Sequence, residues 1–168
     1  MTRYADISQE EPLLINSQLD QRDPRQTISS HSSHYRGVSH KIKIFSTRTL
    51  SSVDITGHQV IGVDECQFFP DLVENVLAWV KQGKHVYCAG LHSDTDNRPF
   101  GQLGQLLHHA DRFICLSAVC KYCLEELGSI VRPSDFTPAP FTARKESGPQ
   151  VVVGGSDLYV AVCRRHHK

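Results

Sequence analysis

The densest chemistry in the sequence lies in two short spacings. Cys120-Lys-Tyr-Cys123 and Cys163-Arg-Arg-His166 each place two donors where one tight turn can aim both at a single tetrahedral ion. Three thiolates and an imidazole suit zinc, which asks for no redox chemistry. Four protein ligands leave no open coordination position, so the expected site is structural. His167 stands next to His166 and offers another fourth donor. The competing reading makes the cysteines buried thiols and residues 164–168 a solvated basic tail. A second candidate is Asp64-Glu65, directly after the apolar run Val60-Ile61-Gly62-Val63. Carboxylates at the carboxyl end of a buried strand can divide metal and proton work between them, or can simply be solvated there. Cys66, Cys88 and Cys115 fall in or beside predicted strands and read as core thiols.

Elements that would position these residues follow from periodicity. After the strand Val60–Val63, Leu72, Val73, Val76, Leu77 and Val80 recur at helical spacing, with Gly83 placed to end the helix. His85 to Leu91 is the next apolar strand, completing a unit of the size of a parallel βαβ crossover. Such units build α/β sheets that bind ligands at the carboxyl ends of their strands. Upstream, Pro12–Asn16 reads as a short buried strand, Ser17 to about Ser39 as loop, and Lys41–Phe45 as a half-buried strand. Downstream, Gln102–Asp111 reads as a helix and Phe113–Val119 as a strand extending the sheet. From Cys120 the character changes. A loop rich in proline leads to a strand-like Gln150–Val153, a Gly154-Gly155 turn and a returning Asp157–Val162.

Composition bounds the function classes. At 168 residues, 39% apolar and 21% charged, the chain is of ordinary globular type, and one domain is the first expectation. Eighteen Lys+Arg against 18 Asp+Glu leave no net charge with which to bind nucleic acid or an anionic membrane. A zinc-ribbon nucleic-acid binder is therefore disfavoured, though two Cys/His pairs allow one. No apolar run approaches the roughly 20 residues that cross a bilayer. Asp6, Glu10 and Glu11 sit where a secretory signal would carry its apolar core, so the expected location is cytoplasmic. In a reducing compartment, spaced cysteines mean metal more often than disulfide.

Residues 60–72, VIGVDECQFFPDL, resemble the type II thymidine kinases, the cellular and poxvirus-like family. Leu91 through Arg98-Pro99-Phe100-Gly101, Ala118-Val119-Cys120-x2-Cys123, and Gly154-Gly155-x-Asp157-x-Tyr159 before Cys163 match it in the same order. The resemblance runs from about Val60 to the end of the chain, with the Ser-rich stretch before it reading as an insertion. It implies an α/β parallel-sheet core like that of P-loop kinases over residues 1–118 and a zinc ribbon with a long lasso-like loop over 119–168. The implied activity is transfer of the ATP γ-phosphate to the 5′-hydroxyl of thymidine. Strand-end carboxylates suit phosphoryl transfer. By resemblance Asp64 lies on the magnesium side and Glu65 is the base for the 5′-hydroxyl. Phe68, Leu91, Phe100 and Tyr159 match positions that wall the thymine, while Phe69 reads as core. Val152 matches a segment whose backbone bonds the base edge. Thr2-Arg3-Tyr4 resembles the tail of an Asp-Thr-Arg-Tyr motif that works near the phosphates, with Met1 in the place of its Asp. Family members form homotetramers, which is the implied assembly.

Two departures stand out. The family's G-x4-G-K-[ST] phosphate loop, whose backbone N–H groups cradle phosphates, occurs nowhere in the 168 residues. Placing Thr2-Arg3-Tyr4 on the family pattern puts that loop, with two strands and a helix, upstream of Met1. The expected state is an N-terminally incomplete core without measurable turnover, from a truncated gene model or a catalytically dead, ligand-binding or oligomer-forming copy. Relatives also follow the matching Leu with an acidic residue and carry an aromatic four positions on; here these are His92 and Thr95.

Overall fold

The computed structural model describes residues 11–19, 42–128, 132–145 and 158–167. Two compact units emerge, the first formed by Met1–His92 with Phe100–His109, the second by Ser93–Pro99 with Ala110–Lys168. The expected strand Gln150–Val153 and the Gly154-Gly155 turn lie outside the described residues, as do Arg3 and Val152.

The first unit is built around β3 (Val60–Val63), whose four residues are all buried. An unbroken apolar run is what a parallel strand covered on both faces requires. β1 (Leu13–Ser17) pairs with it on one side and β4 (His85–Cys88) on the other. β2 (Lys43–Thr47) adds outside β1, giving the order β2-β1-β3-β4. Every pairing is parallel: Leu13 lies opposite Lys43 on one side and Ile61 on the other, and Val63 lies opposite Cys88. The expected α/β parallel sheet is therefore present, with β1 and β2 each starting slightly later than their residue patterns suggested.

Helix α1 (Leu72–Lys81) crosses between β3 and β4, burying Leu72, Val76 and Trp79 at the spacing of one helical face. Glu74 in its first turn and Lys81 in its last complement the helix dipole. Gly83 ends it at φ +80°. The Gly83 N–H donates to Val80 O at 2.9 Å and the Lys84 N–H to Trp79 O at 3.1 Å, the paired bonds of a left-handed glycine cap. Ahead of the helix, Asp71 accepts the Leu50 N–H at 3.0 Å and the Ser51 N–H at 2.9 Å, tying the turn Leu50–Ser52 to the helix start.

Two expectations in this region are corrected. Leu103–His109 is a 3-10 helix instead of an α-helix over Gln102–Asp111. Leu103 and Leu106, three apart, already reach the core from one side of that tighter turn, while Leu107 stays exposed. Phe113–Val119 does not extend the parallel sheet. Only β5 (Ala118–Val119) is a strand, antiparallel to β6 (Pro138–Ala139), and Phe113, Ile114 and Leu116 are exposed. The Cys120 N–H bonds Thr137 O at 2.8 Å, so the end of this apolar run is committed to the second unit.

That unit pairs β7 (Phe141–Arg144) with β8 (Tyr159–Val162), also antiparallel. A short helix α2 (Lys121–Leu127), unanticipated from periodicity, starts at Cys120. The small core holds Cys120, Cys123, Ala139, Val160, Val162 and Cys163. Among the described residues no helix is long and apolar enough to cross a membrane.

Burial alone would raise the Asp71 carboxyl pKa, but its backbone hydrogen bonds outweigh that and hold it below the ordinary 3.8. A depressed native value means the stabilisation is present above 3.8 and is lost as pH falls through the native pKa. Asp71→Ala, which leaves the Leu50 and Ser51 donors unpaired, is expected to lower the unfolding free energy by about 1–3 kcal/mol at pH 7. Urea titrations of both proteins should show the gap closing in acid below that range. A constant gap would exclude the carboxylate as its source.

Candidate active site and metal centre

At the carboxyl end of β3 the chain leaves the sheet in steps set by hydrogen bonds. The Asp64 N–H still donates to Ile15 O at 2.9 Å, and Asp64 Oδ1 accepts the Glu65 N–H at 3.0 Å. Glu65 then takes the left-handed conformation, φ +46° and ψ 44°, which is uncommon for a residue with a side chain. A 3-10 turn, Cys66–Phe68, follows, and the Cys66 N–H donates to Ala89 O at 2.9 Å, joining the loops that leave β3 and β4. Strand conformation thus ends at Cys88, short of the expected Leu91. Phe69 is fully buried in the core, as expected.

Phe68 and Phe100 meet edge to face, ring centroids 5.6 Å apart at 90°. Leu91, on the loop after β4, is 45% exposed. Glu65 Oε2 accepts Gln67 Nε2 at 2.6 Å, and Gln67 Oε1 accepts the Leu91 N–H at 3.1 Å. The first unit therefore gathers Asp64, Glu65, Phe68, Leu91 and Phe100 around the carboxyl ends of β3 and β4. Gln67 joins them without having been singled out from the sequence; its only signal there is a polar residue inside an apolar stretch. Cys66 and Cys88 pack in and against the core. Burial pushes both thiols up, Cys88 to about 12 and Cys66 further. Cys115, expected in the core, is exposed.

In the second unit Tyr159 sits on β8, its hydroxyl accepting Arg144 Nη2 at 2.8 Å, with that guanidinium 5.3 Å from its ring centroid. The four expected metal donors converge. Sγ of Cys120, Cys123 and Cys163 lie 3.5, 3.6 and 3.6 Å from His166 Nδ1, and the Cys123 and Cys163 sulfurs are 3.7 Å apart. All four ligand atoms fall within 4.8 Å of one another. Around zinc, bonds of about 2.3 Å to sulfur and 2.0–2.1 Å to nitrogen set tetrahedral edges of about 3.8 Å for S···S and 3.6 Å for S···N. The donor set and its spacing fit that ion. Burial disfavours the Cys120 thiolate, yet the Cys123 and Cys163 backbone N–H groups and the His166 ring bring its pKa down to about 6, ready for a cation.

Outer contacts fix this group. Glu126 Oε1 lies 3.2 Å from His166 Nε2, leaving Nδ1 to face the thiols, as carboxylates behind ligating histidines do. Arg165 donates to both Glu126 and Cys123 Sγ, the latter at 3.6 Å. His167 is turned elsewhere: its ring packs on Phe141 and Nε2 donates to Thr95 O at 3.0 Å. His166 is therefore the histidine aimed at the cluster. Neither Glu126 nor Arg165 is legible in the sequence, because charged residues on a short helix and beside a ligand look like ordinary surface.

A parallel-sheet α/β unit with paired carboxylates at a strand end, followed by a Cys3His-centred antiparallel unit, defines the class of this chain. The sequence profile of the family described as "Thymidine kinase" matches residues 1–167, and the chain belongs to that family. It is 39% identical over 112 residues to the thymidine kinase of Thermococcus kodakarensis, covering 66% of this chain and 54% of the archaeal one. To the Choristoneura fumiferana entomopoxvirus thymidine kinase it is 28% identical over 168 residues, 98% of this chain and 83% of the viral one. The Monkeypox virus thymidine kinase is 35% identical over 112 residues, 66% of this chain and 56% of its own. The matches to the archaeal relatives span 54% and 57% of their lengths.

Metal analysis after dialysis against a weak chelator is expected to find close to one equivalent of zinc per chain. Cys163→Ala should lose it together with a drop in melting temperature, and Glu126→Ala should weaken retention by about 10–100-fold. Full zinc content in Cys163→Ala would remove that residue from the ligand set.

Proposed function

We propose that this chain carries the nucleoside side of a thymidine kinase, acting on the 5′-hydroxyl of thymidine with ATP as phosphoryl donor. One observation carries the reading: Asp64 and Glu65 share a strand end with the Phe68–Phe100 ring pair in a chain of the thymidine kinase family. A flat pyrimidine needs apolar walls, and Phe68, Leu91 and Phe100 supply them beside the carboxylates. By family resemblance alone the reading also assigns Tyr159 and Val152 to the base and Arg3 to the phosphates. Glu65 accepts the proton of the 5′-hydroxyl as its oxygen attacks the γ-phosphorus and the bond to ADP breaks. Asp64 would help hold a magnesium ion, which when bound would neutralise phosphate charge.

Zinc held by Cys120, Cys123, Cys163 and His166 fastens the second unit and takes no part in the transfer. The proposed division is a kinase core over 1–118 and a zinc-ribbon, lasso-bearing region over 119–168. The proposed setting is a cytoplasmic homotetramer that engages neither nucleic acid nor membrane.

Calorimetry should show saturable binding of thymidine to the 168-residue chain, weakened at least tenfold, or about 1.4 kcal/mol, in Phe68→Ala and in Phe100→Ala. Absence of binding to the unaltered chain would sink the nucleoside reading. The 168 residues contain no G-x4-G-K-[ST] segment, and this favours a second reading, a nucleoside-binding or oligomer-forming subunit without turnover. The proposed transfer also needs a phosphate-binding loop, so with ATP and magnesium supplied we expect no detectable thymidine 5′-monophosphate from these 168 residues alone. Robust turnover by these residues would overturn that expectation and the second reading with it.

A further inference from the structure

We propose that Gln67 is a positioning residue that couples the Glu65 carboxylate to the main chain of the nucleoside-facing residue Leu91, an inference that deepens the thymidine kinase reading and rests on it. Gln67 is only 4% exposed. A buried primary amide is costly unless its groups are bonded, and an apolar side chain of the same size would fill the space without that cost. What the amide supplies is therefore in its partners. Nε2 donates to Glu65 Oε2 at 2.6 Å, and Oε1 accepts the Leu91 N–H at 3.1 Å. One planar group thus bridges the loop after β3 and the loop after β4.

The surroundings are shaped to hold it. A methyl group at Gly90 would overlap Gln67 Oε1 and sit 2.9 Å from Cys66 Sγ, and one at Gly101, already at φ +62°, would overlap the Gln67 carbonyl. Three segments therefore close on this residue, and two of them carry Phe68 and Phe100, the rings that meet at 5.6 Å. Glu65 holds a left-handed backbone that persists only where neighbours over-determine it. Because linked hydrogen bonds polarise one another, a change at the Glu65 carboxylate is felt at the Leu91 N–H through the amide.

The test is the Leu91 amide resonance and exchange rate in the ¹⁵N-labelled full chain, read beside thymidine affinity. Gln67→Met should speed Leu91 amide exchange by about fivefold or more, the worth of one net hydrogen bond. Glu65→Gln should shift the Leu91 resonance when Gln67 is present and leave it unmoved in the Gln67→Met background. Thymidine affinity should fall about tenfold in Gln67→Met, as expected when both loops lose a shared support. An equal Leu91 response to Glu65→Gln in both backgrounds would overturn the proposal. If Gln67→Met fails to fold, Glu65→Ala in the otherwise unaltered chain decides. It removes the acceptor of Gln67 Nε2, so the Leu91 resonance should shift; an unmoved resonance overturns the coupling. Should the unaltered chain bind no thymidine while the Leu91 response still depends on Gln67, the nucleoside reading fails and the positioning role stands. Thymidine binding with an unchanged Leu91 response in Gln67→Met would do the opposite, keeping the nucleoside reading and removing the positioning role.

Discussion

The complete burial of β3 constrains everything in the first unit. With strands on both edges and all four of its residues covered, it has no position at which a charged side chain could be solvated. Carboxylates following this strand must therefore appear where it emerges, and Asp64 and Glu65 do. The same burial demands a crossover helix between parallel neighbours, which α1 supplies, and a sharp exit, which the left-handed Glu65 supplies. The carboxylates and the buried amide of Gln67 both follow from where this one strand must stop.

The second unit answers a different shortage. Among the described residues its two sheets have two strands each, and its core is six small or medium residues, three of them the cysteines themselves. Isolated two-stranded pairs are marginal in water. Four donors drawn together from 120–123 and 163–166 could hold a metal ion, which would cross-link what packing alone does not, with Glu126 and Arg165 beside the His166 ring and the Cys123 sulfur.

How much of this is legible in the sequence depends on whether a feature is local. β3, α1 and the Gly83 cap are readable because strand burial, helical spacing and a left-handed glycine leave marks within a few residues. The metal donors are readable as two local pairs, and the choice of His166 over His167 needs coordinates, since spacing treats the two nearly alike. Phe68 and Phe100 are assigned through family resemblance, not through any pattern of their own. Illegible features are those decided by distant partners. Residues 113–119 are as apolar as a core strand, but their one ordered pairing is set by Thr137 and Pro138, and periodicity cannot report that. Gln67 escapes notice because its role exists only when residues 65, 90, 91 and 101 are brought together.

The raised thiols of the first unit have a further meaning. With a pKa of about 12, roughly one Cys88 in 10⁵ is a thiolate at neutral pH, and Cys66 still fewer. Since the thiolate is the species that attacks electrophiles and peroxides, these two sulfurs are chemically silent beside the strand end. Cys120, pulled in the opposite direction, is the nucleophilic kind of sulfur, and a metal ion is what would shield it. Cys163 shifts the same way as Cys120, and Cys123 the opposite way, so the sulfurs of the antiparallel unit do not respond alike. Oxidation of Cys120 would remove one of the four donors that hold the antiparallel unit's cluster together.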